Sequence, residues 1–120
     1  MNIEIIDYLE HDSISDGAKY NSLVKIDDTH YILAYYGDSG HGYIKTFSIG
    51  DDYNIEEEYE LIHNDTHSCV RNSLSKIDST HFLLTYDNLW TNNIDIKTFS
   101  INGSYEISEI EFNKIKTNMS

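Results

Sequence analysis

Histidine is the side chain whose charge changes most readily near neutral pH, and this chain carries six. His30 and His81 close matching tetrapeptides, Asp27-Asp28-Thr29-His30 and Asp78-Ser79-Thr80-His81. A position that recurs in this way points to a structural hydrogen-bonding role, because a catalytic site is needed only once per assembly. His63 and His67 stand four apart, but His63-Asn64-Asp65-Thr66-His67 reads as a strand end and loop, and zinc would need further ligands that the spacing does not supply. Asp16 and Asp38 with nearby carbonyls could hold Ca²⁺, yet no twelve-residue calcium-loop pattern surrounds them. No metal or other cofactor is expected. Cys69 falls on a small-residue position shared with Ala18 and is expected to be a buried thiol without a chemical role. Trp90, the only tryptophan, is expected to fill a gap in the packing. The alternative is that it stacks on a sugar beside Asp and Asn side chains.

Gly37-Asp38-Ser39-Gly40 matches the residues around a serine-protease nucleophile. That chemistry needs a His base, a buried acid that orients it and an oxyanion hole. The corresponding stretch Asp87-Asn88-Leu89-Trp90 has no serine, so the motif reads as a hairpin loop. No catalytic residue is assigned, and the expectation is a non-enzyme.

At 120 residues the chain has one domain's worth of sequence, or part of a closed one. Net charge is −13, from eight basic and twenty-one acidic residues. Nucleic acids and anionic membranes recruit Lys and Arg, so both are poor partners. The acids concentrate at Asp51-Asp52 and Glu56–Glu60, a solvated acidic face. The lone cysteine excludes an internal disulfide and suits a reducing compartment. The first residues lack a basic region and a long apolar core, so a cytoplasmic location is expected.

The elements that must position these residues repeat. Residues 21–35 (NSLVKIDDTHYILAY) return at 72–86 (NSLSKIDSTHFLLTY), and IKTFSI at 44–49 returns at 96–101. A period near fifty residues signals stacked supersecondary units. Short β-branched and aromatic segments predict strands at Ser22–Ile26, His30–Tyr36, Tyr43–Ile49 and Ile55–Ile62. The second set is Ser73–Ile77, His81–Tyr86, Ile94–Ile101 and Tyr105–Phe112. Asp27-Asp28, Asp78-Ser79, Gly50-Asp51 and Asn102-Gly103 mark turns, the last as a two-residue hairpin. Connections this short join antiparallel neighbours, so each repeat is a four-stranded meander. Tyr31, Leu33 and Tyr35 alternate with Ile32, Ala34 and Tyr36, which gives the second strand two apolar faces, as in a sheet stacked between two others. Little or no helix is expected.

With the core N-S-L-x-K-I-D-x-T-H-Y/F-x-L-x-Y, followed by K-T-F, the repeats resemble β-propeller blades of the highly repetitive bacterial type. More distantly they resemble the tryptophan-aspartate repeats, in which a His precedes the innermost strand. His11-Asp12 and His63-Asn64 stand at that place, as structural repeat positions. The resemblance implies an all-β propeller with two four-stranded antiparallel blades per chain, 13–62 and 63–120. Residues 1–12 would be an extra outer-type strand, which could complete a neighbouring chain's blade.

Two blades cannot close a ring, which takes about four to eight. Closure by homo-oligomerisation is therefore expected, as a trimer with six blades or a tetramer with eight. The alternative is a piece of a longer propeller polypeptide. Loops entering each innermost strand and joining second to third strands share one end of such a blade. They hold Asp16, Asp38, His41, His67, Asn88 and Trp90, the candidate ligand-binding residues. The expected function is a non-catalytic, self-assembling binding module, with a lectin-like one as the example, or else a protein-interaction scaffold.

Overall fold

The computed structural model of the chain describes Asp7 and residues 19–116. The candidate residues His11 and Asp16, and the expected strand over residues 3–11 apart from Asp7, lie outside the described residues. Asp7 accepts a hydrogen bond at 2.8 Å from the Ile55 backbone N–H.

All eight expected strands are present. They are β1 (Lys19–Lys25), β2 (His30–Tyr36), β3 (Gly42–Ile49), β4 (Ile55–Asn64), β5 (Cys69–Asp78), β6 (His81–Asn88), β7 (Asn93–Ile101) and β8 (Ile107–Lys116). They form two four-stranded antiparallel sheets in simple sequence order, β1 to β4 and β5 to β8. The described residues contain one helical turn, a 3₁₀ segment at Asp38–Gly40. No helix among them is long and apolar enough to cross a membrane.

The repetition extends to irregularities. Register slips between Lys19 and Ser22 in β1 and between Val70 and Ser73 in β5. Tyr20 and Arg71 sit there at φ +56° and +51°, as β-bulges allow. β3 and β7 also slip at matching places, Thr46/Phe47 and Thr98/Phe99.

The β7–β8 connection corrects the two-residue hairpin reading. Tyr105 N–H bonds Asn102 C=O at 3.0 Å, which makes Gly103-Ser104 the central pair of the turn. Tyr105 itself takes φ +60°. β8 therefore starts at Ile107 rather than Tyr105. Tyr53 N–H bonds Gly50 C=O in the same way, with Tyr53 at φ +66°.

The two sheets meet along β1, β2 and β5, with lighter contact between β4 and β8. Their shared core includes Ile32 and Ala34 from β2, Leu74 from β5, and Phe82, Leu84 and Tyr86 from β6. Strand alternation gives this list a direction. The repeat counterparts of Phe82, Leu84 and Tyr86 are Tyr31, Leu33 and Tyr35, which lie on the opposite face of β2 from Ile32 and Ala34. Opposite faces of two equivalent sheets are thus in contact.

Candidate functional site

Antiparallel order sends the β2–β3, β4–β5 and β6–β7 loops to one end, the loop end. The β1–β2, β3–β4, β5–β6 and β7–β8 connections go to the other, the turn end.

At the loop end two asparagines shape the connections. Asn64 Oδ1 accepts the backbone N–H groups of Thr66 and His67, each at 3.1 Å. Asn88 Oδ1 accepts those of Trp90 and Thr91 at 3.1 and 3.3 Å. These local bonds are why Asn suits such loops. Asn88 Nδ2 then donates to His67 Nδ1 at 2.9 Å and to Asp95 Oδ2 at 3.0 Å. His67 stacks on Trp90 with ring centroids 5.5 Å apart. Trp90 is 71% exposed, so it fills no gap between the sheets and instead offers a ring to solvent. His67 also lines a cleft of about 360 Å³, together with His63, Asn64, Asn88, Asp95 and Lys97 among others, which Trp90 itself does not line.

His67, Asn88 and Trp90 thus come together. Asp38 opens the 3₁₀ turn of the β2–β3 loop and His41 follows it, with His41 N–H bonding Asp38 C=O at 3.1 Å. Among the described residues no hydrogen bond or ring contact links them to that trio. Among the described residues no three His, Cys, Asp or Glu side chains gather as a metal site.

Lys97, which lines the cleft, is buried, as is its counterpart Lys45 on β3 of the other sheet. Lys45 bridges Glu57 and Glu60 at 2.5 and 3.2 Å, and Lys97 bridges Glu109 at 3.0 Å. Lys97 also donates to the His63 carbonyl and approaches His63 Nδ1 at 3.3 Å, which leaves the imidazole proton on Nε2. Burial, helped by the Lys97 charge, pushes the His63 pKa down to about 3. Its Nε2 is buried without a hydrogen-bond partner, packed against Gly42. Burial also pushes the Cys69 thiol up to about 12, far from the reactive thiolate range. Neither residue is poised for chemistry.

The turn end places the other repeat positions. Asp27 Oδ1 accepts the Thr29 N–H at 2.9 Å and the His30 Nδ1–H at 3.0 Å. Asp78 Oδ1 does the same for Thr80 N–H and His81 Nδ1–H, each within 2.9 Å. An ionised carboxylate only accepts, so both imidazoles carry a proton on Nδ1. Only the first turn has a further partner. Tyr105 donates its hydroxyl to Asp27 Oδ2 at 2.6 Å and stacks on His30 at a centroid distance of 3.6 Å. Burial opposes ionisation of Asp27, but the hydrogen bonds from Tyr105, Thr29 and His30 outweigh it and hold the carboxyl far below its ordinary range. At Asp78 the Thr80 N–H and His81 lower it without help from a tyrosine.

The seam between sheets carries further polar contacts, among them Asn64 Nδ2 to the Tyr86 hydroxyl at 3.3 Å. Asn72 Nδ2 donates to Tyr20 C=O at 3.1 Å, and Leu74 N–H to Ser22 Oγ at 2.9 Å. Lys76 Nζ donates to Ile26 C=O, and Thr46 Oγ1 to Tyr105 C=O, each at 2.7 Å. Sequence reading singled out Asp27 and His30 but missed Tyr105. The available signal was that Tyr53 and Tyr105 recur 52 residues apart at a turn position that favours glycine.

No family model, curated protein or solved structure matches this chain.

Proposed function

We propose that the chain is a two-blade unit of a self-assembling, non-catalytic β-propeller whose loop end binds a ligand or partner. The observation that carries this reading is the contact between opposite faces of equivalent sheets. A stack of that kind does not complete itself: each new sheet covers one face and presents the other. Leu74 is 7% exposed, while its counterpart Leu23 is 56% exposed. Ile26 is 4% exposed, while its counterpart Ile77 is 56% exposed. Burying a Leu or Ile side chain contributes about 1.5–3 kcal/mol, so both free faces favour a partner. Head-to-tail association of further copies satisfies them and closes a ring when the rotation per blade divides the circle.

The ligand class favoured at the loop end is carbohydrate. The exposed Trp90 ring provides a stacking surface held by the buried Asn88, and the open cleft that His67 lines offers polar groups such as Thr66, Asn93 and Lys114. A protein partner is the competing occupant.

Native mass spectrometry in about 0.15 M salt tests the assembly, with a discrete trimer or tetramer expected. A monomer overturns it. A glycan array probed with the assembled protein and with Trp90→Ala tests the ligand class. Glycan binding lost in the variant supports carbohydrate, and no glycan binding removes it.

A further inference from the structure

Along β1 and β5 and at the turn end, the side chains that make polar contacts across the seam have identical counterparts on the outer faces of the two sheets. The loop-end pairs Lys97–His63 and Asn64–Tyr86 lie outside this pattern. The Asn72 and Lys76 side chains and the Leu74 backbone N–H donate to the first sheet, and Asn21, Leu23 and Lys25 repeat these residues, exposed, on the outer face of that sheet. On the first sheet Ser22, Ile26, Asp27 and His30 receive contacts and Thr46 Oγ1 donates to the Tyr105 carbonyl, and Ser73, Ile77, Asp78, His81 and Thr98 repeat these five residues on the second sheet. One position differs, Tyr20 against Arg71. There the seam uses only the backbone carbonyl, bared by the bulge that both residues adopt.

Tyr53 is the counterpart of Tyr105. It is 64% exposed, at φ +66°, and among the described residues no hydrogen bond or ring contact of its side chain accounts for its presence. A non-glycine residue in the left-handed region carries a steric cost. At Tyr105 the stack on His30 and the bond to Asp27 offset that cost. His81 and Asp78, the matching receptor, are open: the His81 side chain is 43% exposed against 17% for His30.

We propose that a second copy of this chain docks head-to-tail, with its Tyr53 clasped between the Asp78 carboxylate and the His81 ring of the first. The clasp rests on the assembly reading above and gives it a direction and a residue-level lock. The Tyr53 hydroxyl donates to Asp78 Oδ2, and its ring lies on His81. Thr98 Oγ1 donates to the Tyr53 carbonyl, while Lys25 leaves Asp28, 3.6 Å away in the isolated chain, and donates to the Ile77 carbonyl. A two-fold contact is disfavoured, because donors and receptors sit on different sheets facing opposite ways.

The test measures dissociation constants by sedimentation for the full chain and for Tyr53→Ala and His81→Ala, with far-UV circular dichroism to establish that each is folded. Each variant should weaken assembly about tenfold or more. Mixing the two should restore one competent contact and give a 1:1 complex that neither forms alone. A wild-type monomer overturns both the assembly and the clasp. An oligomer indifferent to both substitutions overturns the clasp alone. Weakened variants that fail to complement overturn the head-to-tail direction.

Discussion

Tyr105 lies on His30 with ring centroids 3.6 Å apart and planes 6° from parallel. The contact joins the last turn of the second sheet to the first turn of the first. Removing only the hydroxyl, in Tyr105→Phe, loses the bond to Asp27 and should lower stability by about 1 kcal/mol. Tyr105→Ala also loses the stack and should cost about 1 kcal/mol more. Urea unfolding at fixed protein concentration measures both. An unchanged midpoint in both variants would show the contact to be energetically idle.

Acid should destabilise the fold through His63. Its pKa is about 3 when folded against 6.5 for the free side chain, so between those values the unfolded chain binds more protons. Stability is therefore fully present above about pH 6.5 and falls as pH drops toward 3. One pKa unit is worth about 1.4 kcal/mol, so the loss by pH 5 is about 2 kcal/mol. The imidazole carbons of His63 should keep neutral-ring NMR shifts at pH 5. A His63 resonance that titrates near 6.5 would overturn this account.

The strands were legible because alternating apolar residues and Asp- or Gly-rich breaks are local signals, and two copies of each reinforced the reading. The Asp27–His30 turn was legible for the same reason. Its partner was not, since Tyr105 is 75 residues from His30 and nothing local marks a stack between sheets. Lys97 and Asp95 were also missed. A charged residue inside a strand reads as solvent-facing, and their burial depends on Glu109, Asn88 and the His63 carbonyl arriving from other elements. Trp90 was misplaced because a lone tryptophan is more often packed than displayed.

Glycine positions separate the loop end from the turns. A Cβ on Gly42 would stand 2.5 Å from the His63 ring and 3.0 Å from Cys69 Sγ, both held in the core. Gly42→Ala should cost about 1–3 kcal/mol as overpacking. Gly103→Ala meets nothing within 4 Å and should be neutral or stabilise by up to about 1 kcal/mol. Thermal unfolding of the two variants checks the contrast. Equal effects would mean that His63 can move aside.

Salt should tell long-range charge from local complementarity. Each copy carries −13, with the exposed Glu56, Glu57, Glu58 and Glu60 along β4, so copies approaching one another repel. The seam itself offers only small compensation: Lys25 meets a neutral carbonyl in the proposed contact, and Asp78 meets a tyrosine hydroxyl. Screening extends over about 10 Å in 0.1 M salt and about 30 Å in 0.01 M. Assembly should accordingly weaken at low ionic strength, by about tenfold in dissociation constant across that range. Sedimentation at the two concentrations measures it. Tighter assembly at low salt would mean that opposite charges meet at the interface, which the proposed seam does not provide, and a different pair of surfaces would then have to be in contact.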